Sequence, residues 1–247
     1  INESFTLNTT LIPDFGQVQS DNLVLNLSPF EVQFQERRPF FTEGTELFNR
    51  KVGLGPGQLF YSRRIGQTPS LYYDVPYLVD ENEEVVSNPS VTQLYNATKF
   101  SGRTKGDLGI GMINAVSAPM YAVVKNSVTG EKRKALTEPL ANYNIFVLDQ
   151  SLKNNSRVGF INTSVIRKGD WRKANVSSLN FVIKDPTNTF SWSGVGSFSQ
   201  IYDKAIADKP QFGAYVDYQA SKISGNFRFD FEQWVITDKY DQNDLGL

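Results

Sequence analysis

Beyond about Thr92 the chain is written in segments of roughly ten to thirteen residues in which apolar and polar side chains alternate, with turn-rich stretches between them. Asn226 to Thr237 is the clearest. Phe227, Phe229, Phe231 and Val235 share one face and Arg228, Asp230 and Glu232 the other, because successive side chains of a strand point to opposite sides. A helix would scatter the same residues around its circumference. Gln211 to Ser221 repeats the pattern, setting Phe212, Ala214, Val216, Tyr218 and Ala220 against Gln211, Tyr215, Asp217 and Gln219. Thr189 to Ser199 places Phe190, Trp192 and Phe198 opposite four serines. Leu179, Phe181 and Ile183 form a further apolar face, as do Ala141, Tyr143, Ile145 and Val147. With Gln93 to Arg103, Asp107 to Val116 and Arg157 to Val165, about eight strands are predicted, joined up and down by hairpins.

The first ninety residues are less regular. Phe5, Leu7, Thr9 and Leu11 alternate as one strand before Pro13-Asp14-Phe15-Gly16 breaks it. Asn22 to Phe34 is strand-like but interrupted by Ser28-Pro29, Gly53 to Gly57 reads as a flexible turn, and Asp80 to Glu84 as an acidic loop tip. The chain therefore divides into an irregular stretch, 1–90, with inward-folded or plug-like connections, and regular amphipathic strands over 91–247, all within one domain.

Alternation alone fits two architectures. The polar faces, with Ser, Asn, Gln and charges of both signs, would meet bulk water in a soluble sandwich or solenoid and line the lumen in a transmembrane barrel. Aromatic residues make up 13% of the chain and several stand at strand ends, where interfacial girdles fall, which tilts the reading toward the barrel. No window supplies the run of apolar residues that a spanning helix needs, but barrel strands need only one apolar face.

Composition removes several function classes. Lys and Arg number 25 against 26 Asp and Glu, so no basic excess argues for nucleic acid or an anionic membrane surface. Cys and His are both absent, which excludes disulfides, thiolate or imidazole zinc sites and Ser-His-Asp catalysis. No catalytic residue and no cofactor-binding pattern emerges. Asp14-Phe15-Gly16 lacks the rest of a kinase signature, and the Gly53 to Gly57 and Gly109-Ile110-Gly111 runs lack nucleotide-loop spacing. The latter reads instead as strand positions that a neighbour approaches closely. Asp241, Asn243 and Asp244 supply oxygens for a weak metal candidate, with a structural turn as the alternative. Asn-x-Ser/Thr triplets, as at Asn8, Asn26, Asn96, Asn154, Asn162 and Asn175, are attributed to the abundance of those residues.

Two arginine-rich segments are the most distinctive. Glu36, Arg37, Arg38 and Glu43 surround Pro39-Phe40-Phe41, and Arg63 and Arg64 form a second pair. Both are expected either as ion-pair knots inside a plug against the barrel wall or as a ligand site. Ile12 to Val18, Glu36 to Gly44 and Phe60 to Gly66 resemble an uncharacterised outer-membrane β-barrel family of Bacteroidota, whose longer members carry an N-terminal carbohydrate-binding family 9-like module. Lys99 to Thr104, Leu108 to Val116 and Tyr240 to Gly246 look like its later blocks, in the same order across nearly the whole chain.

The resemblance implies an all-β, antiparallel up-and-down transmembrane barrel in the bacterial outer membrane, with no catalytic residue to carry over. Because the chain starts at Ile1 without Met and the family continues beyond the last block, it is expected to be an incomplete portion of a larger barrel. The expected partners are outer-membrane lipid, remaining strands of the same precursor or another chain, assembly partners and a glycan. Expected functions are passage or surface binding of a polar solute such as a glycan, with Lys99, Asp217, Arg228, Asp230 and Glu232 facing the lumen, or a scaffold in a larger assembly. A carboxylate-based sugar hydrolase stands third.

Overall fold

The computed structural model describes residues 5–13, 33–49 and 58–246, and in them the chain is an antiparallel all-β protein. Its strands are β1 (Phe5–Leu11), β2 (Glu83–Ser87), β3 (Leu94–Arg103), β4 (Leu108–Ser117), β5 (Met120–Asn126) and β6 (Lys132–Glu138). They continue with β7 (Ala141–Ser151), β8 (Arg157–Arg167), β9 (Lys173–Lys184), β10 (Phe190–Tyr202), β11 (Gln211–Lys222) and β12 (Phe229–Ile236). The one α-helix among the described residues is the single turn α1 (Pro39–Thr42). The predicted strand over Asn22 to Phe34 and the turn at Gly53 to Gly57 lie largely or wholly outside the described residues.

Nine strands form one sheet in the order β1-β3-β4-β7-β8-β9-β10-β11-β12, and β2, β5 and β6 form a second. Every pairing is antiparallel, and the large sheet is a meander interrupted where β2 leaves it between β1 and β3 and where the β5–β6 hairpin leaves it between β4 and β7. The sheet does not close among the described residues, since β1 and β12 each pair on one side.

The two ends of the meander differ. At one end the connections 104–107, 152–156, 185–189 and 223–228 are short, and each carries a residue in the left-handed region: Asp107, Asn154 with Asn155, Asn188 and Gly225. Asn, Asp and Gly tolerate that conformation, which a tight reversal requires. At the other end stand the β5–β6 hairpin and the connections 168–172 and 203–210.

One face of the large sheet is covered and the other is open. Segments 33–49 and 58–66 lie over the covered face and build the core with it: Phe41, Phe48, Phe60 and Ile65 pack with Ile113, Ala115, Tyr143, Ile145 and Ile161. Close approach depends on Gly111, where a Cβ would stand 2.8 Å from the Phe48 ring. After β12 the chain also returns over this face. It passes so near Gly213 that a Cβ there would lie 2.2 Å from the Tyr240 backbone, and it buries Leu245.

Three details differ from the sequence reading. Residues 120–138 form the β5–β6 hairpin, and the supposed acidic tip contains the start of β2 at Glu83. Arg228 precedes β12 and sits in a turn, its Nε 3.4 Å from the Gly225 carbonyl, so it is not a strand residue. On β7 the apolar residues Ala141, Tyr143, Ile145 and Val147 face the covered side and Asn142 and Asn144 the open one. The inversion relative to β10 and β11 follows from what each strand meets, because β7 lies under the packed phenylalanines of the 33–66 region.

Candidate functional site

The open face is organised by rows across the strands. Ile110, Leu148, Phe160, Leu179, Gly196, Val216 and Val235 are successive cross-strand partners from β4 to β12. Around them Leu179, Phe198, Phe212, Val216, Phe231 and Val235 are about half exposed or more. Two steps toward the hairpin end, the row Thr98, Asn114, Asn144, Ser164, Asn175 and Gln200 is polar from β3 to β10 and meets Phe212 on β11. Asn114 Nδ2 donates to Asn142 and Asn144 at 2.7 and 2.8 Å, and Asn162 Nδ2 donates to Ser177 at 2.8 Å. An apolar expanse with no covering neighbour among the described residues thus lies beside an amide stripe.

The covered face holds the charges. Lys99, 1% exposed on β3, donates from Nζ to the carbonyls of Phe40 and Glu43 and lies over the Phe40 ring. The Glu43 side is exposed, and its carbonyl rather than its carboxylate makes the bond. Arg38 is buried: Nε and Nη2 donate to Glu36 at 2.8 and 2.6 Å, Nη1 to the Ile65 carbonyl, and its guanidinium stacks 4.4 Å from the Phe41 ring centre. Ser62 Oγ donates to Glu36 Oε2, the oxygen that also accepts from Arg38 Nη2, at 2.6 Å. Burial pushes the Glu36 carboxyl up, but the hydrogen bonds and charge of Arg38 together with the Ser62 bond hold it below its ordinary value.

The two arginine segments thus meet. Arg63 donates to the Gln35 carbonyl at 2.7 Å, and Arg64 to the Gly246 carbonyl at 3.2 Å. The Arg37 amide donates to Glu36 at 3.0 Å while its side chain stays exposed. Asp217 is buried on β11 with Oδ1 lacking a hydrogen-bond partner. Asp230 and Glu232 are exposed on β12, opposite Ser221 and Gln219. The sequence candidates therefore occupy separate places along the sheet rather than one site.

At the hairpin end the geometry is richer than the sequence suggested. Arg167 donates to Asp244 at 2.9 Å and lies 3.5 Å from Glu138, which accepts from Ser70. Arg172 donates to Asp244 at 2.8 Å and Asp241 at 2.7 Å, and stands 3.8 Å from Asp203. Burial lowers the Arg172 guanidinium, and the two aspartates raise it by more. Asp241 and Asp244 are thereby held by arginines. Asn243 donates its amide to Asp241, and no group of acids able to hold a metal exists among the described residues. The network fastens the returning C-terminal segment to the ends of β8 and β9.

Beside it lies a cavity of about 740 Å³, walled by Tyr95, Pro119, Tyr121, Leu136, Pro139, Leu140 and Trp171, with Lys168, Asp170, Arg172 and Asp203 at its polar side. It joins the start of β3, the small sheet and two connections. Its residues come from distant parts of the chain, so alternation could not gather them; the Lys168-Gly-Asp-Trp-Arg172 turn was the one local signal. Asp170 pairs with Lys204 at 2.5 Å, a bond that holds its carboxyl below the ordinary value.

Residues 1–247 match a family described as Domain of unknown function (DUF5916). The chain belongs to this family. The match covers every element of the DUF5916 chain described above, the cavity and both arginine segments included. No curated protein and no solved structure matches it. No helix among its described residues is long and apolar enough to cross a membrane.

Proposed function

We propose that the domain forms part of the wall of a bacterial outer-membrane β-barrel and serves surface binding of a polar solute such as a glycan. The observation that carries the membrane reading is the distribution of polarity across the large sheet. Half-exposed Leu, Val, Phe and Trp side chains fill the open face, while Lys99, Arg38, Asp149 and Asp217 are buried on the other. In water such a face invites aggregation; in lipid it is the solvated side. The amide stripe then marks the level where hydrocarbon gives way to headgroups, and the short turns lie on the periplasmic side, as is usual for such barrels. The strands run ten to thirteen residues from β7 to β11 and in β3 and β4, enough to cross an outer membrane when tilted.

Surface binding is favoured over passage because segments 33–49, 58–66 and 240–246 fill the covered face. It is favoured over hydrolysis because Asp170 and Asp203, the carboxylates at the cavity, are engaged by Lys204 and Arg172. A scaffold role is the second reading, supported by the β12 edge, every residue of which is exposed and available to another strand.

The test uses the tryptophans. In a W171F/W234F variant reconstituted into phosphatidylcholine vesicles, brominated lipid should quench Trp192 on the open face. In a W192F/W234F variant it should spare Trp171. Equal quenching of both, or none, counts against the membrane wall.

A further inference from the structure

We infer that the cavity at the hairpin end binds an acidic saccharide, its ring on the aromatic wall and its anionic substituent toward Lys134 and Lys168; this rests on the surface-binding reading above. The volume of about 740 Å³ lies in the range of small-ligand sites. Three aromatic residues from three separate parts of the chain converge on it, and two of them, Tyr95 and Tyr121, keep 49% and 38% of their surface exposed. An aromatic ring left wet in a concave site offers a flat apolar face bordered by polar groups. That suits a pyranose, whose C–H face is apolar and whose rim is hydroxyl.

Charge selects within that class. Arg172 is held by Asp203, Asp241 and Asp244, the last shared with Arg167, and Asp170 is paired with Lys204, so these groups engage one another and form a fixed polar rim. Lys134 and Lys168 have no carboxylate partner among the described residues. Lys168 lines the cavity, and Lys134 Nζ stands 5.7 Å from the centre of the Tyr121 ring, which forms the wall. Two uncompensated ammonium groups beside an apolar aromatic wall complement a ring carrying a carboxylate or a sulfate. A neutral sugar would leave both charges unanswered.

The experiment uses the full chain folded in detergent, as the W192F/W234F variant in which Trp171 is the sole tryptophan. Trigalacturonate supplies the carboxylate, a heparin-derived tetrasaccharide the sulfate, and cellotetraose the neutral control. Trp171 emission should change saturably with at least one acidic probe, and whichever acts identifies the anion. Cellotetraose and the K134E/K168E variant should bind about tenfold more weakly or worse, with circular dichroism unchanged. Equal affinity for cellotetraose, unchanged affinity in K134E/K168E, or no response to either acid overturns the proposal. Lipid quenching of Trp192 is measured separately: its persistence alongside failed binding rejects the cavity assignment alone, and its loss rejects the membrane reading.

Discussion

The guanidinium of Arg38 clasps the carboxylate of Glu36 two residues before it, with Nε and Nη2 at 2.8 and 2.6 Å, while Nη1 reaches the Ile65 carbonyl on a separate segment. One side chain therefore ties residues 36–41 to residues 62–65 and holds both against the sheet. Removing it strands a buried carboxylate and a buried carbonyl together. Arg38→Ala is expected to cost about 3–5 kcal/mol. Arg38→Lys should recover only part, because an ammonium cannot reproduce the fork. Denaturant or thermal titration of the folded protein checks both.

The same pair sets an acid limit. Glu36 has a lower value folded than unfolded, so its contribution is fully present above the unfolded carboxylate value of about 4.3 and is lost as pH falls through the folded value. The thermal midpoint should be flat with respect to this group near neutrality and fall in the acid range. In Glu36→Gln the fall should be shallower from a lower starting midpoint. An acid limb identical in the two proteins would show that the carboxylate does not contribute.

Glycines at two positions on the large sheet separate close packing from strand propensity. At Gly111 a side chain meets the Phe48 ring, itself 1% exposed and unable to withdraw, whereas at Gly196 on the open face nothing lies within 4 Å of a Cβ. Gly111→Val should destabilise by about 1–3 kcal/mol through overpacking. Gly196→Val should be neutral or mildly stabilising, since it joins the row of Leu179 and Val216. Equal effects of the two on the thermal midpoint would contradict the arrangement of segment 33–49.

Period-two alternation made the large sheet legible: the predicted strands from Gln93 onward correspond to β3, β4 and β7 to β12, and all but β12, which is exposed throughout, meet different surroundings on their two faces. The β5–β6 hairpin is not legible from alternation, because Tyr121-Ala122-Val123-Val124 is a continuous apolar run. Which face is covered was not legible. Asn142 and Asn144 look like lumen residues until the phenylalanines of residues 40–60 are seen to claim the opposite side of β7. Arg38 and Glu36 were found from local sequence because their bond is local. The cavity was not, because Tyr95, Tyr121 and Trp171 meet only through the sheet order.

The open face gives a sign-sensitive test of its solvent. Leu179 and Asn144 lie on that face, Leu179 in the apolar row and Asn144 in the amide row, and Leu179 is 55% exposed. In water, arginine at so exposed a position as Leu179 should change stability by no more than about 0.5 kcal/mol. In lipid the same substitution desolvates a charge, costing about 2–4 kcal/mol near the midplane and about 0–1 kcal/mol near the interface. Leu179→Arg should therefore lower folding stability in vesicles by several times the effect of Asn144→Arg, as read from urea titration of tryptophan emission. Two mild and equal effects would place the row in water and remove the support that the membrane wall draws from it.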